Sequence, residues 1–310
     1  MKRTVLCAAL CAGLGTSALA QSSPATPPAV AFDQVDVIAL GPYGSSPNDF
    51  AGDVAALTAA AADARPMTIT MPIKTLKRFA YLHGQSRVET VGTHTVVITK
   101  PGEVDMLDTA KKSYRKITGD ALKKVPVGSG GLALPLMPTT GALATPGSMD
   151  VKFTLDGSTL DPLAGSGAPT TGYRIALTLA TANATGSCGT LARFANLQGT
   201  IETYVVDRAE PIAAAMPGTG FPFLPQDLTK LPGFNPKGCA IDSMSVQMNH
   251  LAKAVGLAGF YLYRRIEIVF DAQSGIALSP TLVSERGNIR DLSDADAALF
   301  TIPGDYTPLP

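Results

Sequence analysis

Residues 87–117 constrain the fold more than any other stretch, because they read as short strands joined by turns. An apolar set with a period of two leads to a turn at Lys100-Pro101-Gly102, and a second strand follows at residues 103–107. Another turn at residues 108–111 leads to a third strand at residues 113–117. Pro-Gly and Asp-Thr-Ala-Lys are turn sequences between β-branched runs, so we expect a meander of antiparallel neighbours.

The N-terminus has the three parts of a secretory signal. Lys2 and Arg3 form a charged region, residues 5–14 an apolar region, and Ala18-Leu19-Ala20 a small-residue cleavage site. We predict a signal peptide at residues 1–20 and a periplasmic or secreted protein cut after Ala20. A buried helix or membrane anchor is the alternative, but the apolar run is shorter than the roughly 20 residues that a span needs.

Charge and composition limit the classes of partner that we expect for this protein. The formal net charge is zero, and loss of the basic signal region leaves the mature chain slightly acidic. There is therefore no electrostatic reason to expect nucleic acid or an anionic membrane surface as a partner. Residues 21–31 are rich in Ser, Pro and Ala and predict a flexible leader. We expect residues 32–310 to form one soluble domain without a transmembrane segment; the sequence sets no oligomeric state.

Cysteine usage predicts one disulfide. Of the four cysteines, only Cys188 and Cys239 lie outside the predicted signal peptide, and an exported protein meets an oxidising compartment. Closing a loop of about 50 residues would stabilise the fold by roughly 4 kcal/mol. Two separate buried thiols are the alternative. A metal site is disfavoured because neither cysteine has a second ligand at metal-binding spacing.

Hydrophobic periodicity predicts the remaining elements. A helix is expected at residues 49–65, between a capping residue and Pro66. The clearest helical pattern is an apolar stripe at steps of three and four, formed by Ile241, Met244, Met248, Leu251 and Val255. Further strands are predicted at residues 32–40, 67–91, 151–155, 173–180, 199–207, 260–271 and 278–286.

Three other segments connect these elements. Asp156-Gly157 is expected to be a turn, and residues 210–238, rich in Pro and Gly, a loop. Residues 119–150 are too apolar for an ordinary linker and predict a long excursion that packs back onto the body. Many strands with one good helix favour a curved antiparallel sheet holding a helix on its concave side.

A family resemblance rests on motifs that stand in a fixed order. The chain contains Arg87-Val-Glu, Val96-Val-Ile-Thr-Lys-Pro101, Met106-Leu-Asp-Thr-Ala-Lys-Lys-Ser-Tyr114, Thr171-Gly172-Tyr173 and Leu299-Phe300-Thr-Ile302-Pro303-Gly-Asp-Tyr306. In this order they resemble the LolA-like superfamily of periplasmic lipoprotein carriers, closest to an uncharacterised exported branch. The resemblance covers most of residues 67–308. It implies an α+β fold in which a curved antiparallel sheet forms a half-open β-barrel with helices lidding the concave face.

The resemblance also implies that the concave face holds acyl chains. Methionine in the helical stripe suits such a surface, because its flexible side chain fills irregular space. Ordinary core packing is the alternative explanation for the same residues. The candidate ligand-binding residues are Val96, Ile98, Met106, Leu177, Leu179, Met244, Met248, Leu251, Ile266, Ile268 and Phe270.

Catalytic, cofactor and metal motifs are not visible in the sequence. The three histidines are His83 before a turn, His94 in an expected strand and His250 on the expected helix, and none has a partner at zinc spacing. Glu103, Asp105 and Asp108 surround a hairpin, where a solvated turn explains them better than acid-base chemistry. We therefore predict neither a cofactor nor a metal.

Three functions follow, and each predicts a different observation. The leading hypothesis is an exported protein that binds a lipid or lipoprotein acyl chain, which predicts an apolar cavity beneath Met244, Met248 and Leu251. The alternative is a structural or protein-interaction domain of the cell envelope with a filled core and an exposed apolar patch elsewhere. The third is a hydrolase, which predicts a histidine near a serine or carboxylate in a cleft.

Overall fold

The computed structural model describes most of the chain after residue 28. The described residues are 29–41, 43–44, 49–62, 72–124, 145–189, 192, 196–208, 239–255, 260–270 and 279–309. The predicted signal peptide, residues 125–144 of the predicted excursion and the predicted loop at 210–238 lie outside them. Of the predicted leader, Val30 and Ala31 belong to the first strand.

The described residues form one sheet of thirteen strands. The strands are β1 (Val30–Leu40), β2 (Ile73–Leu82), β3 (Gln85–Thr90), β4 (Thr95–Lys100), β5 (Glu103–Asp108), β6 (Ser113–Thr118), β7 (Gly147–Leu160), β8 (Thr171–Ala182), β9 (Leu197–Val205), β10 (Cys239–Met248), β11 (Tyr261–Phe270), β12 (Pro280–Asp291) and β13 (Thr307–Pro308). Their order in the sheet is β10-β7-β8-β9-β11-β12-β1-β2-β3-β4-β5-β6-β13. Neighbours are antiparallel except for β10 with β7 and β13 with β6, which are parallel. The sheet is therefore mixed rather than antiparallel as expected, and within the described strands it is open, with β10 and β13 at its ends.

The buried side of the sheet changes along its width. We define face A as the side that carries Val35 and Val37 of β1, and face B as the side that carries Phe32 and Ile38, since successive side chains of a strand point to opposite faces. The register places the large core cluster of β7, β8, β9 and β11 on face B, where Ile38 packs against it. The core cluster that joins β2, β4 and β5 lies on face A instead, whereas Phe79, Tyr81 and Val88 of β2 and β3 are buried on face B with Phe32. The middle of β1 and the first half of β12, between these regions, carry buried residues on both faces.

Short helices pack on both faces. The helix α1 (Phe50–Ala62) packs on face A through Phe50, Val54 and Leu57, against a cluster that contains Val35 and Leu76. The helix α2 (His250–Val255) packs against β7 and β8 and places Ala252 in the face B core. Two 3-10 helices occupy Gly119–Lys124 and Asp294–Phe300. Within the described residues, none of these helices has the length and apolar character to cross a bilayer.

The predicted helix with the stripe from Ile241 to Val255 is wrong for most of its length. Cys239–Met248 form the edge strand β10, and only His250–Val255 are helical. Pairing with β7 overrides the helical spacing of the apolar residues, since Cys239 lies beside Gly147 and Met248 beside Leu155. The predicted disulfide between Cys188 and Cys239 is confirmed, and it holds the start of this strand to the residues that follow β8.

The predicted turn at Asp156-Gly157 is also wrong, because β7 runs through both residues. A Cβ atom at Gly157 would lie 2.6 Å from the backbone nitrogen of Ala252, so the glycine lets α2 approach the strand closely. The Asn249 side chain completes this junction. Its Oδ1 accepts hydrogen bonds from the backbone N–H of Gly157 at 3.0 Å and of Ala252 at 2.8 Å, and its Nδ2 donates to the Gly157 carbonyl at 2.7 Å.

The meander forms as predicted, with one further turn. The two turns at residues 101–102 and 109–112 join β4, β5 and β6 in antiparallel order. The first expected strand is two strands, β3 and β4, separated by a turn at residues 91–94. His94 therefore lies in a turn with φ of 56°, and its prediction as a strand residue is wrong.

Candidate functional site

The structure gathers six of the predicted ligand-binding residues into one place. Leu177, Leu179, Ile266, Ile268 and Phe270 are buried in the face B core, and Met248 packs against it. Their neighbours there include Phe153 and Ile201, which are almost fully buried. Among the described residues these side chains therefore pack against one another.

The other predicted residues lie elsewhere. Val96 and Ile98 are buried on face A, the opposite side of the sheet. Met106 is 40% exposed on β5, and Met244 is 36% exposed on the edge strand β10. Leu251 is half-buried on α2. The full predicted set therefore does not line a single site.

A charged groove of about 300 Å³ lies on face A of β8, β9 and β11. Arg174 donates hydrogen bonds to Glu202 at 3.0 and 2.7 Å, and Arg265 donates to Glu267 at 3.1 Å. The side chains that line this groove pair with one another across and along the strands. A ladder of ion pairs of this kind explains the groove without a ligand.

A second cavity, of about 260 Å³, has a different character. We call it the Glu285 cleft; its lining residues are Phe50, Ala51, Leu163, Gly165, Ser166, Leu262, Tyr263, Glu285, Arg286 and Gly287. It lies where β11 and β12 separate, because their pairing ends at Tyr263 and Glu285 while β12 continues to Asp291. The loop between β7 and β8 and the start of α1 close the remaining sides.

Phe50 forms one wall of the cleft by packing against backbone. A Cβ atom at Gly287 would clash with the Phe50 ring, so glycine is required there. Next to it Asn288 has φ of 52°, and the register with β1 shifts between Ala31 and Asp33, as in a β-bulge. The bulge and the glycine together let the start of α1 approach β12.

The carboxyl group of Glu285 lies at the base of the cleft. The residue is 4% exposed, and its Oε2 makes no hydrogen bond within the described part of the chain. The pKa of Glu285 is raised from 4.5 to about 7, first by burial and then by the nearby negative charges of Asp53 and Asp49, while Lys74 acts in the opposite direction. A carboxyl of this kind can exchange a proton near neutral pH or hold a positively charged group.

The histidines do not contribute to this cleft. His83 Nε2 lies 2.7 Å from Asp294 Oδ1, but both side chains are largely exposed. Across the described ranges, no group of three or more His, Cys, Asp and Glu side chains is arranged to hold a metal ion. The hydrolase remains a prediction without a site among these residues.

Sequence reasoning missed Glu285, Phe50 and Tyr263. The sequence offers one signal, since Glu285 and Arg286 are adjacent charges after the apolar residues Leu282 and Val283. Alternation alone would place one of the two charges in solvent. Their burial comes from α1 on one face and from aromatic residues on the other, which no local pattern encodes.

A scan against models of protein families and a search of curated proteins both returned no match for the chain.

Proposed function

We propose that this protein binds a small, mainly apolar ligand in the Glu285 cleft. The observation that carries the proposal is a cavity of about 260 Å³ with Phe50, Leu163 and Tyr263 in its walls and one buried, unpartnered carboxyl oxygen at its base. Ligand sites commonly combine apolar walls with a few fixed polar groups. The size suits a small molecule or the end of a longer one, such as a lipid.

The proposal keeps the ligand class expected from the sequence and moves the site. Of the residues at the expected site, Met248 packs against the core, Met244 is exposed on the edge strand, and Leu251 is half-buried on α2. The half-open barrel with a helical lid, and with it the lipid-carrier resemblance, forms part of this proposal. It is supported by an open sheet whose face B core is buried and which carries α2 on that face.

The fluorescence of a bound dye offers a direct test. Tryptophan, which the chain lacks, serves as a bulky substitution that blocks the cleft. Ser166→Trp places a large ring in the cleft, and Ser158→Trp places the same ring on the exposed side of β7 as a matched control. We expect the neutral dye N-phenyl-1-naphthylamine to bind the wild type and Ser158→Trp equally, and Ser166→Trp at least tenfold more weakly. Equal binding to all three proteins, or binding to none, would reject the cleft as the site.

The edge strand β10 favours a second candidate, a protein-interaction domain. Met244 and Val246 are 36% and 37% exposed on a strand that ends the described sheet. Strand edges present backbone hydrogen-bonding groups to other chains, and the simplest partner is β10 of a second copy. This candidate predicts a dimer by light scattering that Met244→Lys with Val246→Lys converts to a monomer; a monomeric wild type would exclude it.

A further inference from the structure

The Glu285 carboxyl group constrains which polar group a ligand of the cleft would carry. An acceptor oxygen that is buried without a donor costs free energy, and native structures rarely leave one in that state. Glu285 Oε2 is such an atom, on a residue that is 4% exposed and lines the cleft. A ligand that brings an N–H or O–H donor to this carboxyl group would reduce the penalty of burying it.

The charges around the cleft favour a cationic donor. Asp49, just before α1, and Asp53 of α1 add negative potential at Glu285, while Lys74 of β2 adds positive potential. Lys74 is itself held by Asp53, with Nζ at 2.7 and 2.8 Å from the two carboxylate oxygens. The residues paired directly with Glu285 on this face, Tyr263 of β11 and Val35 of β1, have no formal charge. Of the diagonal neighbours, Asp33 of β1 is acidic, and Arg265 of β11 donates a hydrogen bond to Glu267 at 3.1 Å.

Arg286, the cation that lines the cleft, has partners on the opposite face. Its Nε donates a hydrogen bond to Gln34 Oε1 at 2.9 Å, and its guanidinium lies 3.5 Å from the centre of the Tyr261 ring. It also lies within 4.9 Å of the ring centres of Phe32 and Phe260. These contacts hold the guanidinium among aromatic rings on face B, whereas Glu285 belongs to face A.

We infer that the Glu285 cleft receives a primary ammonium group carried on a short apolar body, with the Glu285 carboxylate accepting a hydrogen bond from it. The inference rests on the proposed function, and it names the chemistry of the ligand. An ammonium–carboxylate hydrogen bond is stronger than a neutral one. The rings of Phe50 and Tyr263 in the walls add attraction for a cation as well as apolar surface. The ammonium group could belong to a free alkylamine or to the headgroup of an aminophospholipid.

Calorimetry with matched probes separates this inference from the proposed function. Octylamine, octanol and octanoate share one chain and differ in the end group. At pH 8 we expect the wild type to bind octylamine at least tenfold more tightly than octanol, and octanoate more weakly than either. In Glu285→Gln, which keeps the shape and removes the charge, octylamine should lose its advantage while octanol binds unchanged.

The pH dependence of octylamine binding is a second measurement. It would not change if Glu285 only stabilised the fold. The ionised carboxylate binds the ammonium, so octylamine affinity of the wild type should rise about tenfold from pH 6 to pH 8 around the pKa of about 7. Octanol affinity should stay flat, and Glu285→Gln should lose the rise. Circular dichroism establishes that the variant is folded before its affinities are compared.

Failure of the ammonium inference and failure of the apolar-ligand proposal give different results in these experiments. Equal affinity for octylamine and octanol, both lost in Ser166→Trp, would overturn the ammonium inference and leave the apolar-ligand proposal standing. Binding of no probe would overturn both. If the ammonium is recognised, lysophosphatidylethanolamine binding with lysophosphatidylcholine rejected identifies a lipid headgroup, because a quaternary ammonium has no N–H to donate. Rejection of both lysolipids with retention of octylamine identifies a free amine.

Discussion

The meander of β3 to β6 and the long strands β7, β8, β9 and β11 belong to one sheet but bury opposite faces. In the meander, tight turns join sequence neighbours, and Val96, Ile98 and Leu107 lie buried on face A. In the long strands the core lies on face B, and the outward face carries paired charges such as Arg174 and Glu202. In the meander every strand pairs with its neighbour in the chain, whereas the long-strand region also contains the pairings of β9 with β11 and of β10 with β7, which join distant parts of the chain.

The difference accounts for one buried carboxyl group. Between the two regions, the middle of β1 and the first half of β12 carry buried residues on both faces, and Glu285 lies on this seam, where it faces α1 on face A. Burial at the seam and the nearby charges of Asp53 and Asp49 raise the pKa of Glu285. Asp105 is also buried, in the meander, but Lys100 Nζ lies 3.1 Å from its Oδ2.

The largest effect should come from the disulfide, which only the long-strand region contains. Replacing Cys188 and Cys239 together with alanine frees a crosslink with a sequence separation of 51 and should cost about 4 kcal/mol of unfolding free energy. Hydrogen exchange should show lost protection in β10 and β7 before β4 and β5. Equal loss of protection across β3 to β6 would show that the two regions unfold as one unit.

At the seam, Glu285→Gln should stabilise the protein at high pH. The folded pKa lies above the ordinary value of 4.5, so the folded state binds the proton more tightly and its stability falls as pH rises from about 4.5 to about 7. Above pH 7 the full cost persists, at most about 3 kcal/mol for this shift. In chemical denaturation, the variant should therefore have a higher free energy of unfolding than the wild type at pH 8. The difference should shrink towards pH 4. A constant difference at both pH values would contradict a raised pKa.

Packing at the same seam is tested by Gly287→Ala. The added methyl group would overlap the Phe50 ring, and overpacking of this kind costs about 2 kcal/mol. Gly304→Ala is a matched control, since nothing lies within 4 Å of its Cβ position and its φ is not in the left-handed region. Thermal denaturation should separate the two variants. Similar melting temperatures would mean that α1 moves freely away from β12.

The smallest effect is expected in the meander, where His94 has φ of 56°. His94→Gly should relieve backbone strain and stabilise the protein by at most about 1 kcal/mol, because glycine adopts this conformation freely but loses more entropy on folding. Urea denaturation at pH 8 measures the change. A clear loss of stability would assign the His94 side chain a packing role in the turn.

The same contrast explains how much the sequence reveals. The turns around Pro101-Gly102 and at residues 109–112 act locally, so the antiparallel order of β4, β5 and β6 could be predicted, whereas the turn at residues 91–94 was not. The strand β10 could not be predicted from the sequence, because its apolar residues recur at helical spacing. Only the pairing with β7 determines that they form a strand. Gly157 resembled a turn residue, although it is needed for the approach of α2. Glu285 could not be recognised, since its burial depends on α1 and β11, both distant in sequence.

The position of β1 in the sheet determines when the centre of the sheet can be completed during synthesis of the chain. The first described strand lies near the middle, where one neighbour is β2 and the other is β12, with Val35 beside both Leu76 and Glu285. While the ribosome is still making residues 83–279, β1 can pair on one side only, and its other edge stays open to wrong partners. We therefore expect the centre of the molecule to close only when nearly the whole chain has been made.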